Sequence, residues 1–120
     1  AAYVGEMRKA DRAMQTFLEL YDAGRRRDAW DGASRHFQQS NQRPLFVRNR
    51  ALVHGTLNPA RPRELINVRY ARPIYPFHVE EFVLYTLSTQ VNDSLATVEL
   101  TVVKERDGQW RVNWFTGWGK

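Results

Sequence analysis

Histidines are the first residues to consider for acid–base or metal chemistry, and this chain has three of them, His36, His54 and His78. They lie far apart in the sequence, and none shows the H-x-x-x-H spacing of metal ligands on a helix. A catalytic histidine also needs a partner that fixes its tautomer and a cavity around it. His78 precedes two glutamates at the predicted start of a strand, which would place it at the mouth of a pocket. The alternative is an ordinary surface histidine, which the isolated position favours.

Tyrosines are the other polar candidates for a pocket. Tyr70 and Tyr85 fall within predicted strands, near the height at which a cavity between helix and sheet would lie. Together with His78 and Trp114 they form the predicted ligand pocket. The chain has no cysteine, no nucleophile elbow, no glycine-rich phosphate loop and no H-E-x-x-H motif. We therefore predict no catalytic residue, no metal and no cofactor.

Three tryptophans near the end of the chain, Trp110, Trp114 and Trp118, follow one another in four-residue steps. Such steps suit one face of a helix and, being even, also one face of a strand. The Asp107-Gly108 dipeptide before them is a strong hairpin signal and therefore predicts a strand. On that strand an alternating set shares one face: Trp110, Val112, Trp114, Thr116 and Trp118.

Two interpretations of this aromatic face are open. Indole rings can stack a flat ligand or bases, at roughly 1–3 kcal/mol per base, or they can fill the core of the domain. We favour the core for Trp110 and Trp114, because Val112 lies between them on the same face. Trp118 lies between two glycines beyond the last expected strand pairing, so we assign it to a partner surface.

Arginine dominates the basic residues, and the charge is unevenly distributed. Residues 1–72 carry 14 basic and 7 acidic residues, whereas residues 73–120 carry 4 and 6. The run Arg25, Arg26, Arg27 follows the first predicted helix and joins Trp118 in the predicted partner surface. One interpretation is an anionic partner, and the other is a solvated helical surface. No nucleic-acid motif accompanies the arginines, so nucleic acid is not the expected partner.

The segments around these candidates predict helices first and strands afterwards. Apolar residues at three- and four-residue steps predict a long helix from Glu6 to Ala23 that ends at Gly24. Asp28 is predicted to cap a short second helix, and a third would run from Pro44 to a stop at Gly55. Beyond a proline-containing loop the apolar period becomes two, which is typical of strands.

This order predicts an α+β fold. Three N-terminal helices (residues 6–55) would pack on a curved antiparallel sheet of about four strands (residues 64–118), within a single domain formed by residues 1–120. The strands are expected to coil around the first helix and to leave a conical space beside it.

The segments FLELYDAGRRRDAWDGASRHF and ATVELTVVKERDGQWRVNWF resemble an uncharacterised bacterial family, number four-zero-one-nine among the domains of unknown function. The resemblance includes Ala29-Trp30, Ala33-Ser34 and the closing D-G-x-W-R-V motif, and it spans roughly residues 10–116. It implies a cystatin-like, nuclear-transport-factor-2-like cone and an exported protein. The wider superfamily contains isomerases and dehydratases as well as many non-catalytic modules, so the resemblance implies no reaction.

The expected location is the periplasm or the outside of a bacterial cell, and a cytoplasmic location stays open. Ala1-Ala2 suits the remnant of a cleaved signal peptide or a simple chain boundary. No apolar run approaches the roughly 20 residues that a membrane span needs. A membrane would therefore be reached only through an N-terminal segment that the sequence does not contain.

We expect a non-catalytic binding or assembly domain of an envelope or exported protein, acting on a protein partner or a second copy through its sheet face or basic helical side. The alternative is a small-molecule-binding protein, or an enzyme of the isomerase or dehydratase type, that uses the cone. A pocket of roughly 300 Å³ or more with convergent polar groups would favour the alternative. A cone filled by side chains would favour the binding domain.

Overall fold

The structure is a computed structural model that describes residues 2–48, 63–71, 81–91 and 94–119, with side chains at 4–47, 63–71, 81–88 and 97–116. Four helices precede four strands: α1 (Ala2–Asp22), α2 (Arg26–Asp31), α3 (Arg35–Ser40), α4 (Arg43–Arg48), β1 (Glu64–Ala71), β2 (Phe82–Val91), β3 (Ser94–Lys104) and β4 (Trp110–Gly119). The strands form one antiparallel sheet in the order β1-β2-β3-β4. The predicted α+β class is confirmed.

Helix α1 forms because its apolar residues recur on one face, and that face packs on β3 and β4. The residues that this stripe buries are Ala10, Met14, Phe17, Leu18 and Tyr21. The helix ends as predicted at Gly24, whose φ of 80° is the left-handed conformation that glycine adopts without strain. The amide of Arg25 donates to the carbonyl of Leu20 at 2.8 Å and closes the last turn.

The predicted short second helix is in fact two helices, α2 and α3, separated at residues 32–34. Ser34 caps α3, since its Oγ accepts from the amide of Phe37 at 3.0 Å. Its own amide donates to the carbonyl of Val112 in β4 at 2.9 Å, which fixes the break against the sheet. Asp28, predicted to cap the second helix, lies in the first turn of α2 and pairs with Arg25. The residues predicted to continue the last helix to Gly55 lie outside the described part of the chain.

A β-bulge in β4 changes which residues face the core. Thr101 of β3 pairs with Trp114 and the next residue, Val102, pairs with Val112, so Asn113 is an extra residue in β4. A bulge of this kind exchanges the two faces for all residues beyond it. Phe115 is therefore 3% exposed in the core, whereas Trp114 is 48% exposed on the outer face. The prediction that Trp114 shares the core face of Trp110 is wrong for this reason.

Side chains fill the space between α1 and the sheet. Phe17 packs against Phe115 with ring centroids 5.1 Å apart, and Phe37 against Phe46 at 5.3 Å. The strands contribute Val83, Tyr85, Leu87, Val98, Leu100, Val102, Trp110 and Val112 to the same cluster. The expected conical space is thus a packed core over the described residues. None of the described helices is both long and apolar enough to span a bilayer.

Candidate binding surfaces

Tyr85 is a buried hydrogen-bond donor rather than a residue of an open pocket. Its ring lies in the core, and its hydroxyl donates to the Oδ1 of Asp11 on α1. Burial raises the pKa of the Tyr85 hydroxyl strongly, and the bond to the Asp11 carboxylate raises it further. The hydroxyl therefore stays protonated at physiological pH, and its contact joins α1 to β2.

Tyr70 is half-buried on β1, and its hydroxyl donates to the Oε2 of Glu81, just before β2. Because Tyr70 pairs with Val83 and Tyr85 pairs with Val68, the two tyrosines lie on the same face of the sheet. Their hydroxyls nevertheless bind different carboxylates.

The other two residues of the predicted pocket do not complete it. Trp114 lies on the opposite face of the sheet from Tyr85. His78 lies outside the residues that the structure describes. The four predicted pocket residues are therefore not brought together within the described structure.

Trp110 forms a second polar contact between α1 and the sheet. Its indole Nε1 donates to the Oε2 of Glu6 at 2.7 Å, and the Nζ of Lys104 lies 3.1 Å from the same oxygen. The bond from Trp110 and the contact with Lys104 lower the pKa of the Glu6 carboxyl. Sequence patterns did not identify Glu6 or Asp11. One sequence feature could have identified them. Both residues border the apolar stripe of α1, from which a carboxylate can reach the sheet at the edge of the core.

The three arginines of the predicted partner surface point to different environments. Arg25 binds the carboxylate of Asp28 at 2.8 Å. The guanidinium of Arg26 lies 4.7 Å from the centre of the Tyr21 ring, while Arg27 is exposed on α2. The three arginines therefore do not share one environment, and the partner surface stays a prediction. Trp118, the fourth member, belongs to β4 and pairs with Thr97, and its side chain lies outside the described side chains.

Arg63 forms the most buried of the described ion pairs. Its guanidinium donates two hydrogen bonds to the Asp22 carboxylate, and its side chain is only 9% exposed. This contact ties the end of α1 to the start of β1, 41 residues apart in sequence. Two planar groups joined by two bonds form a rigid clamp.

Apolar residues are left uncovered on β1 and on the outer face of β4. Leu65, Ile66 and Val68 are 48%, 56% and 39% exposed, although Leu65 and Val68 pair with buried residues of β2. The helices pack chiefly on β3 and β4, so β1 extends beyond their cover. On the outer face, pairing aligns Trp114 with Thr101, Leu84 and Arg69 in one row across the sheet. We call β1 together with this row the uncovered sheet.

A groove of about 400 Å³ lies between α1, α2 and the start of β4. Its apolar floor consists of Phe17, Leu20, Trp110 and Val112, and its charged lining residues are Lys9, Arg12, Arg111 and Asp28. Lys9 lies 3.5 Å from the Glu6 carboxylate. Arg111 is engaged, since it binds Glu105 at 2.7 Å and Asp107 at 2.8 Å, and both contacts raise its pKa. Arg12 is exposed on α1 and adds positive charge to the rim. Among the described residues, no cluster of acidic or histidine side chains is arranged to hold a metal ion.

The structure thus combines an α+β fold and a packed interior with the uncovered sheet and a groove beside α1. The chain belongs to the family described as protein of unknown function (DUF4019), whose model matches residues 13–115. Comparison with curated proteins and with solved structures gave no match.

Proposed function

We propose that this chain is a non-catalytic binding or assembly domain that engages a protein partner through the uncovered sheet. The observation that carries the proposal is the contrast between interior and surface. The interior tyrosine and tryptophan donate to carboxylates of α1, so their polar groups serve the fold. The apolar side chains of β1 and Trp114, by contrast, are available at the surface.

Exposed apolar groups on a sheet carry a cost that natural proteins usually avoid. An edge strand presents unpaired backbone groups, and charges or prolines commonly protect it. In β1, three apolar side chains are more than a third exposed, and Trp114 adds an aromatic of the kind enriched in interfaces. This combination is typical of a surface that another chain covers.

Photo-cross-linking in the cell of origin tests this proposal. A benzophenone amino acid replaces Leu65 or Trp114 in the full-length protein, and exposed Glu19 on α1 provides the control position. We expect cross-linked species of discrete mass from the two sheet positions and not from Glu19. The proposal is contradicted if the sheet positions give no adduct, or if all three positions give the same adducts.

We further propose an exported or envelope location in a bacterium and a cystatin-like cone architecture. Both extend the resemblance noted in the sequence, and the long helix lying on a bulged antiparallel sheet supports the second. Fractionation of the cell of origin, with antibody detection of the protein in the periplasmic or the cytoplasmic fraction, tests the location.

The groove beside α1 supports a second candidate function, the binding of a small amphipathic anion. Its volume is within the range of ligand pockets. An apolar floor beside the exposed guanidinium of Arg12 matches a ligand that has an alkyl or aromatic part and a carboxylate or phosphate. Decanoate is a suitable probe, with decylamine as the control of opposite charge.

For this candidate, decanoate should raise the unfolding midpoint of the wild type, and decylamine should not. Arg12→Ala should abolish the shift, and Arg8→Ala, on the same helix, should keep it. Equal shifts with both probes, or a shift that survives Arg12→Ala, would exclude a charge-selective site.

A further inference from the structure

Strand β1 is exposed on both of its faces. Its exposed residues are Glu64, Leu65, Ile66, Asn67, Val68 and Arg69. One edge pairs with β2, and within the described residues no strand pairs with the other. The sequence places Pro62 and Pro73 just outside the strand and no proline within it. Since proline cannot donate to a ladder, these residues limit any added pairing to the length of β1 itself.

When β1 is placed antiparallel to a second copy of itself, residues of opposite charge lie opposite each other, and so do apolar residues. We propose that β1 pairs antiparallel with β1 of a second copy of this chain, with Glu64 opposite Arg69 of the partner subunit. This register also places Leu65 opposite Val68 of the partner subunit. The two-fold axis passes between Ile66 and Asn67, so each favourable pair occurs twice. The inference rests on the proposed function, and it identifies the protein partner of the uncovered sheet as a second copy of this chain.

The bulge in β1 agrees with this register. Pairing with β2 skips from Leu65 to Asn67, which makes Ile66 the extra residue. Leu65 and Val68 consequently lie on one face, because they pair with the inward residues Leu87 and Tyr85. In the proposed register, Leu65 therefore lies opposite a residue on its own face of the sheet, and so does Val68. In a strand without a bulge, residues three apart would lie on opposite faces, and this match would be lost.

Other registers lose these matches. Shifts of two residues place Glu64 opposite Asn67 or opposite Ala71, and they leave Arg69 without an opposite charge. Parallel pairing in register would place Glu64 opposite Glu64 and Arg69 opposite Arg69, and like charges directly opposite are destabilising. Charge complementarity thus selects one antiparallel register of one strand.

The expected dimer is weak, because one eight-residue edge is a small interface. It should form at high protein concentration and dissociate on dilution into the micromolar range. The product is one continuous sheet of eight strands, four from each copy, with the half-exposed Leu65 and Val68 side chains packed across the new pairing.

Charge reversal with sedimentation velocity tests the proposal. Arg69→Glu and Glu64→Arg each create like-charge pairs at both symmetric positions, and each should weaken the dimer about tenfold or more. An equimolar mixture of the two variants should form a heterodimer, and the double variant should regain the homodimer. The matched controls Arg8→Glu and Glu19→Arg, both exposed on α1, should leave the dimer unchanged. Circular dichroism checks that each variant is folded.

Disulfide formation between introduced cysteines tests the register, because the chain has no native cysteine that could form a competing disulfide. Under mild oxidation, Leu65→Cys mixed with Val68→Cys should give more disulfide-linked dimer than either variant alone. A wild-type monomer at all concentrations, or a dimer insensitive to the charge reversals, would overturn the inference. If the sheet positions still cross-link to another protein in cells, the proposed function would stand without it.

Discussion

Two carboxylates of α1, those of Asp11 and Glu6, show how single residues connect the helix to the sheet. Each accepts a hydrogen bond from an aromatic side chain whose ring lies in the core. Burying an aromatic ring is favourable, but its polar tip needs a partner, and a carboxylate at the border of the helix stripe provides it. Tyr85 and Trp110 were found by sequence patterns as members of the sheet. Their partners were not, because the pairing depends on how the helix lies across the strands.

At this scale, the contribution of Glu6 to stability should depend on pH. The pKa of the Glu6 carboxyl is lower in the folded chain than its ordinary value of 4.5. Its contacts therefore stabilise the fold above that pH, and the stabilisation is lost as the pH falls through the lower folded pKa. The variant Glu6→Gln should flatten the acid limb of a plot of unfolding free energy against pH, measured by urea titration. Glu19→Gln is the control, and an equal flattening in both variants would contradict the role of Glu6.

At the scale of elements, the spacing of apolar residues predicted the features that depend on the local sequence. It did not predict the features that depend on contacts between distant segments. The long helix, its stop at Gly24 and the alternation of β3 follow from residue spacing, and the structure contains them. The bulge at Asn113 could not be predicted from the alternation of residues along β4, because Trp114 and Phe115 are both suitable core residues. The break between α2 and α3 was also missed, since it depends on a bond from Ser34 to β4.

Deleting Asn113 should test the bulge directly. Without the extra residue, strict alternation would turn Trp114 towards the core and Phe115 towards solvent. Exposing a buried phenylalanine costs at least about 2 kcal/mol, and the larger indole would not match the space it leaves. We expect a large loss of unfolding free energy in urea and a blue shift of the tryptophan emission.

Asn113→Ala is the matched variant for this deletion. It keeps the residue count, and therefore the bulge, and removes only the bond from the Ser34 Oγ at 2.8 Å. Its expected cost is about 1 kcal/mol. A deletion no more destabilising than this substitution would show that the bulge does not determine which residue is buried.

At the scale of the molecule, two ion pairs connect the helices with the sheet. Lys104 of β3 pairs with Glu6 of α1, and Arg63 pairs with Asp22 across the junction of helices and sheet. Within the predicted partner surface, Arg25 contacts Asp28 and Arg26 contacts the Tyr21 ring, and the surface itself stays a prediction. The contact between Arg63 and Asp22 was not predicted, because the two residues are 41 positions apart and only the three-dimensional fold brings them together.

The Arg63–Asp22 clamp should therefore behave as a partly buried ion pair that joins α1 to β1. Removing one partner leaves the other charge poorly solvated, so Asp22→Asn should cost about 1–3 kcal/mol of unfolding free energy, between the values for exposed and fully buried pairs. Because the double variant Asp22→Leu/Arg63→Leu leaves no unpaired charge, it should cost less than Asp22→Asn. Urea unfolding measures both, with exposed Asp31→Asn as the control for loss of a negative charge. A double variant at least as destabilised as Asp22→Asn would mean that the bidentate geometry, rather than the relief of an unpaired charge, holds α1 to β1.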